Sequence, residues 1–347
     1  MLALASAPAA PRERMRPFDI THDLAPLADL VDVAFSAEPD GMRRNVVSEM
    51  RRAANAGPLL WLAAADPIGL STMGGFVWVA GRRLVGNVTL SRDSSYADLY
   101  VISNVAVHPD WRGRGIAAQM LRAALREAER RSARLVVLEV EQDNAIGHHL
   151  YEKLGFATYD SVAELRHASA IQSTCIQDGS WPGPGQILRR QKASDAASLL
   201  QLVREVTPPP VRQARPPREK DYRLDLGTRF DRFMDDLLYR RQHGDWVVER
   251  NGRLIALLQG VGQFGSEAHR LRMEVALSAR GTLENELLRH GLTWLTRFPE
   301  RPIWATVSCT HPEALSALSA AGFETMRVLD QMQLRPGGLA DRSGGNL

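Results

Sequence analysis

Apolar residues recur along this chain with two periods, and the segments they mark occur twice. Residues 135–159 (LVVLEVEQDNAIGHHLYEKLGFATY) and 302–326 (PIWATVSCTHPEALSALSAAGFETM) each read as a β-branched strand, a turn, a short helix and a Gly-Phe pair opening another strand. The pairs Gly155-Phe156 and Gly322-Phe323 lie 167 residues apart. Upstream, helical spacing of the apolar positions predicts amphipathic helices over 116–132 and 283–297. Earlier still come two hairpins. One turns at Gly81-Arg82-Arg83, and the other at Asn251-Gly252 between strands at 246–249 and 254–261. Recurrence at a fixed offset marks one unit written twice.

Each half therefore predicts a strand, one or two helices, a three-stranded antiparallel meander, a long helix, a strand, a short helix and a closing strand pair. A mixed sheet with helices packed on it is an α+β arrangement. Phe76, Trp78, Val88, Leu90, Ile102, Val105 and Val107 are expected to line the sheet faces, with Leu121 and Leu125 covering one. The expected boundaries are a disordered leader over 1–14, a first domain over 15–167, a Gly/Pro-rich linker over 168–185, a second domain over 186–336 and a flexible tail over 337–347. The Pro-rich stretch 207–217 is expected to be a surface loop between helices.

Composition narrows the function. With 347 residues, 44% hydrophobic and 24% charged, the chain is ordinary globular material for two cores. Two cysteines, Cys175 and Cys309, are too few for a disulfide scaffold or a cysteine-based zinc site, and no metal is expected. The longest apolar run, Leu59 to Ala65, is far shorter than the roughly 20 residues that cross a bilayer, so no membrane partner is expected. The N-terminus lacks a signal-peptide pattern, which points to the cytoplasm. Of 43 basic residues only three are lysine, a bias that fits a GC-rich bacterial genome. The pI near 9.1 invites a nucleic-acid partner, but the net charge is +3 and the arginines are dispersed among 40 acidic residues. Nucleic acid is not an expected ligand, because that footprint requires clustering.

The chemistry is concentrated in Ile102 to Leu121 (ISNVAVHPDWRGRGIAAQML). A β-branched strand ends at His108-Pro109, a loop carries Arg112-Gly113-Arg114-Gly115, and a helix starts at once. Small residues and unsatisfied helix-start amides make an anion site suited to a pyrophosphate. A Gly-rich turn without a ligand has the same local pattern.

This segment resembles the acetyl-CoA-binding motif of the GCN5-related N-acetyltransferases, Gln/Arg-x-x-Gly-x-Gly/Ala, standing here as Arg112-Gly113-Arg114-Gly115-Ile116-Ala117 after Val105-Ala106-Val107-His108-Pro109. Asn144-Ala145 and Tyr151-Glu152-Lys153-Leu154-Gly155-Phe156 are similar to the family's second cofactor motif, and the resemblance covers about Arg16 to His167. It implies two splaying strands, with acetyl-CoA as co-substrate between them. Its pantetheine would pair with the backbone of Val105, Ala106 and Val107. Its pyrophosphate would meet the amides of Arg112, Gly113, Arg114, Gly115, Ile116 and Ala117. Asn144 would contact the cofactor arm or cap its helix. The resemblance also implies Tyr151 as general acid and the Val107 N–H as the group polarising the thioester. No base is marked: Asp98, Glu139, Glu141, His108, His148 and His149 are weighed without one emerging, and a water relay serves equally.

The second half lacks this machinery. Leu277-Ser278-Ala279-Arg280-Gly281-Thr282-Leu283-Glu284 stands in place of the loop, about three residues shorter and with a carboxylate where phosphates would lie. Leu318 takes the place of Tyr151, and His311 that of Asn144. A degenerate second domain is expected, with one cofactor bound per chain. The expected acceptor is a small-molecule primary amine, which attacks the thioester directly in a ternary complex. The alternative is a non-catalytic acyl-CoA sensor or interaction module. The apolar stretch 57–75 is expected to pack between domains, line an acceptor or longer-acyl pocket, or form a homodimer contact.

Overall fold

A computed structural model describes residues 13–35, 47, 50–51, 73–168, 182–183, 185–225, 227, 234, 236 and 238–338. Nearly all of the expected leader and linker, most of the tail, and residues 57–72 of the apolar stretch lie outside the described residues. The chain divides into two compact units. Residues 1–139, 146–157 and 332–347 form the first, and residues 140–145 and 158–331 form the second.

The first unit carries β1 (Glu13–Pro17), α1 (Ile20–Ala34), β2 (Met73–Ala80), β3 (Arg83–Arg92), β4 (Leu99–Val107), α2 (Ile116–Arg130), most of β5 (Leu135–Glu141) and most of α3 (Ala145–Lys153). The strands run in chain order, antiparallel except for the parallel pair β4 and β5. Strand β3 is buried along most of its length because both its faces are covered, by α1 and by α2. Helix α2 supplies Met120, Leu121, Ala124, Leu125 and Ala128, all fully buried and spaced as one helical face. Gly86 in β3 lets α2 come close, since a Cβ there would stand 3.0 Å from Met120 Cε and 3.1 Å from Ile116 Cγ2.

The expected phase of β2 is corrected. Phe76 and Trp78 are half-buried, while Val77 and Val79 join Leu30 of α1, Leu84 and Ala106 in the core. An unbroken apolar run carries no phase of its own. The indole N–H also needs a partner, and Trp78 Nε1 donates to Glu13 Oε2 at 3.1 Å. Val105 and Val107 are likewise only half-buried.

The second unit holds β6 (Ala157–His167) from its second residue on, β7 (Gln186–Arg190), α4 (Ala196–Val206), α5 (Pro209–Ala214), β8 (Arg241–Arg250), β9 (Arg253–Gln263), β10 (His269–Val275), α6 (Glu284–Leu295), β11 (Ile303–Ser308), α7 (Pro312–Ala320) and most of β12 (Glu324–Leu334). Its strand order is β12-β6-β11-β10-β9-β8-β7. Strand β6 closes the first half in sequence, yet it pairs antiparallel with β11, from Val162 opposite Ser308 to His167 opposite Ile303. The loop expected over 207–217 contains helix α5. Proline fits a first helical turn, where its missing N–H has no intrahelical role, and buried Ala214 docks the turn.

Candidate active site

Two backbone features open the first unit. Strand β4 pairs with β5 only from Leu99 opposite Leu135 to Val101 opposite Val137, and no pairing follows. On its other edge the register with β3 skips: Asn87 faces Ala106 and Thr89 faces Ser103, so Asn104 and Val105 together oppose Val88. This is a β-bulge, and Asn104 takes the left-handed conformation (φ 49°) tolerated by asparagine. Asn87 holds it, donating from Nδ2 to the Asn104 carbonyl at 2.9 Å and to Thr89 Oγ1 at 3.2 Å. Sequence reasoning missed this device, although a lone Asn inside a β-branched run was a signal. The His108 N–H donates to the Val85 carbonyl of β3 at 2.9 Å. Amides alternate along a strand, so those of Val105 and Val107 point to the opposite edge, the one β5 leaves.

The loop that follows is braced by its own side chains. Buried His108 accepts from the Asp110 N–H through Nδ1 at 3.3 Å, and its Nε2 lies 2.7 Å from Arg83 Nη2. Arg112 donates to the Val107 carbonyl at 3.2 Å and to the Ala34 carbonyl at 2.9 Å. Arg114 lies over the Trp111 ring at 4.4 Å and donates to the Asp110 carbonyl at 3.3 Å. These guanidiniums shape the loop, and the Arg112 N–H is itself spent on the Pro109 carbonyl at 3.2 Å, so the amides that could meet an anion start at Gly113. Gly113 and Gly115 have φ of 75° and 73°, a region costly for any residue with a Cβ. Gly115 is the N-cap of α2 and brings no side-chain cap, and the first turn holds no acidic residue. The helix-start amides therefore remain available, with the positive end of the helix dipole behind them.

On α3, Tyr151 is buried, its ring edge-on to Phe156 at 6.1 Å. Burial pushes the phenol up to about 12. Asn144 immediately precedes α3, its N–H bonded to the Glu141 carbonyl at 2.9 Å, and belongs with residues 140–145 to the second unit. The carboxylates weighed as bases are engaged or exposed. Asp98 pairs with Arg134 at 2.8 Å, Glu141 lies 3.6 Å from Arg327, and Glu139 is exposed.

The second unit repeats the splayed strands without the opening. Strands β10 and β11 pair over only three residues, from His269 opposite Ile303 to Leu271 opposite Ala305, but β9 and β10 run in unbroken register with no bulge. Glu284, first residue of α6, is almost fully buried; Oε1 lies 2.9 Å from His311 Nε2 and Oε2 accepts from the Leu283 N–H at 3.2 Å. Arg280 donates to the Thr310 carbonyl at 2.8 Å. These bonds tie the start of α6 to the turn before α7, and the two helices pack together, whereas α2 and α3 have no comparable contact. A carboxylate of the chain itself takes the anion's place at this helix start.

Known proteins point the same way. Residues 47–156 match the model of the Acetyltransferase (GNAT) family. N-alpha-acetyltransferase 30 of Schizosaccharomyces pombe is 34% identical over 86 residues, which is 24% of this chain and 57% of that protein. The match thus spans little more than half the length of that relative. A GCN5-related N-acetyltransferase structure from Sphaerobacter thermophilus aligns over 93% of this chain and 96% of its own, at 15% identity and a TM-score of 0.65. A tandem GNAT protein from the clavulanic acid biosynthesis pathway aligns over 94% of this chain and 99% of its own, at 16% identity and a TM-score of 0.58. The family match thus covers residues 47–156 in the first half of the chain, and the fold is shared from end to end with these structures.

Proposed function

We propose that the chain is an acetyl-CoA-dependent N-acetyltransferase whose first unit performs the reaction and whose second unit binds no cofactor. The observation that carries this is the contrast between two helix starts: Gly113 and Gly115 leave that of α2 open, while Glu284 fills that of α6. The α2 amides would receive the pyrophosphate, and the unpaired edge of β4 at Val105 and Val107 would receive the pantetheine. The small-molecule amine attacks the thioester carbonyl carbon, forming the C–N bond, and collapse of the tetrahedral adduct then breaks the C–S bond. The Val107 N–H stabilises the oxyanion between these events. One proton leaves the nitrogen for water, and the thiolate is left to be stabilised or protonated. A phenol at about 12 stays protonated at working pH. Thiols titrate near ~8.5, so Tyr151 assists by donating a hydrogen bond to the sulfur rather than by giving up its proton outright.

Replacing Tyr151 by Phe keeps the ring and its contact with Phe156 and removes only this donor. kcat is expected to fall about 100-fold with little change in acetyl-CoA affinity. An unchanged rate would remove Tyr151 from the chemistry. The acceptor panel pairs small amines with peptide N-termini, since the relative named N-alpha-acetyltransferase 30 favours the latter as a second reading. Binding of acetyl-CoA without thiol release from any acceptor would instead support a sensor.

A further inference from the structure

At the C-terminal end of α6, far along the helix from its carboxylate-filled start, the second unit opens a cleft of about 340 Å³. Small-molecule sites begin near ~300 Å³. Its floor is the pair Trp246 and Trp294, packed edge to face at 5.1 Å and only 6% and 4% exposed. Arg190 from β7 lies over the Trp246 ring at 4.2 Å, and Arg297 follows α6. Ion pairs with Asp195 and Glu249 engage the neighbouring Arg189 rather than Arg190. Stacking fixes the plane of Arg190 while leaving its N–H donors unspent. His290 joins edge-on to Trp246 at 5.0 Å, and Thr293 contributes to the lining.

The charge in this cleft is not balanced from within. Arg190 and Arg297 each repel protonation of His290, whose burial already lowers its pKa, and Arg297 repels Arg190. Asp245 attracts Arg190, but it also accepts from Gln259 Nε2 at 2.8 Å. The C-terminus of α6 offers about half a negative charge, which suits one cation and leaves the second uncompensated. We infer that this cleft binds a small organic oxyanion, a phosphate or carboxylate head held between Arg190 and Arg297 with its body against the tryptophan floor. The inference stands apart from the acetyl-transfer reading, because it uses no residue of the first unit.

Phenyl phosphate, benzoate and phenol, titrated separately into the full chain, test this through indole fluorescence. Phenyl phosphate or benzoate saturates the signal with a Kd in the millimolar range or tighter, and phenol does not. Which anion binds more tightly identifies the head group. Arg190→Gln and Arg297→Gln each weaken that binding by about tenfold, since each removes one charge-assisted contact. Gly115→Val leaves it unchanged, which separates this cleft from the loop at α2. Both arginines are exposed, and thermal melting checks that the variants fold. No saturation by ~10 mM with either anion, or wild-type affinity in both arginine variants, would overturn the inference.

Discussion

Gly115→Val is expected to abolish measurable acetyl-CoA binding while leaving the fold in place. Gly115 has φ of 73°, and a β-branched residue there costs roughly 1–2 kcal/mol or more, so the loop relaxes to another conformation. The Cβ itself meets no crowding, because the nearest atom to it at this site is Gln119 Nε2 at 4.0 Å. What is lost is the alignment of several amides on one diphosphate. A charge-assisted bond is worth about 1.5–3 kcal/mol, so losing two weakens binding at least ~100-fold. Calorimetry of acetyl-CoA against both proteins reads this directly. Retained affinity in a folded Gly115→Val variant would show that the loop amides do not hold the cofactor.

His311→Ala is the second large effect, and it falls on stability. Burial alone would push the Glu284 carboxyl up, but its bonds to His311 and to the Leu283 amide hold it below the ordinary carboxylate range. A group whose pKa is lowered on folding adds stability above its unfolded value and loses that stability as pH falls through the folded one. The wild type should therefore lose melting temperature progressively once pH drops below the ordinary carboxylate range. Removing His311 strands a buried charge, at a cost of about 3–5 kcal/mol. For a unit of this size that is a fall of roughly 10 °C in Tm. The double variant Glu284→Met/His311→Leu buries neither polar group and should recover most of the loss. A His311→Ala protein that melts like wild type would mean that the pair does not hold α6 to the turn before α7.

What the sequence revealed and what it hid divide along physical lines. Helix α2 and the loop before it were legible because helical period, glycine punctuation and a helix start are local signals. The doubling was legible because the Gly-Phe pairs and hairpins recur at one offset. Alignment even placed Glu284 and His311 at the correct stations, but not in contact, since their bond joins two helix starts separated in sequence. The pairing of β6 with β11 is non-local in the same way, and nothing in ATYDSVAELRH announces its partner. The roles of the arginine side chains were hidden too, because partners distant in sequence or in the main chain set them: Arg112 reaches two main-chain carbonyls and Arg114 lies on a tryptophan face. The cleft under Arg190 was invisible, because β7, β8 and the end of α6 bring its residues together from three separate stretches.

On the proposed function, one fold written twice retains a single acetyl-CoA site. The stoichiometry of acetyl-CoA binding to the full chain, by isothermal titration calorimetry, tests it most directly. One equivalent per chain is predicted for the wild type and none for Gly115→Val; two equivalents, or one that survives in Gly115→Val, would contradict it.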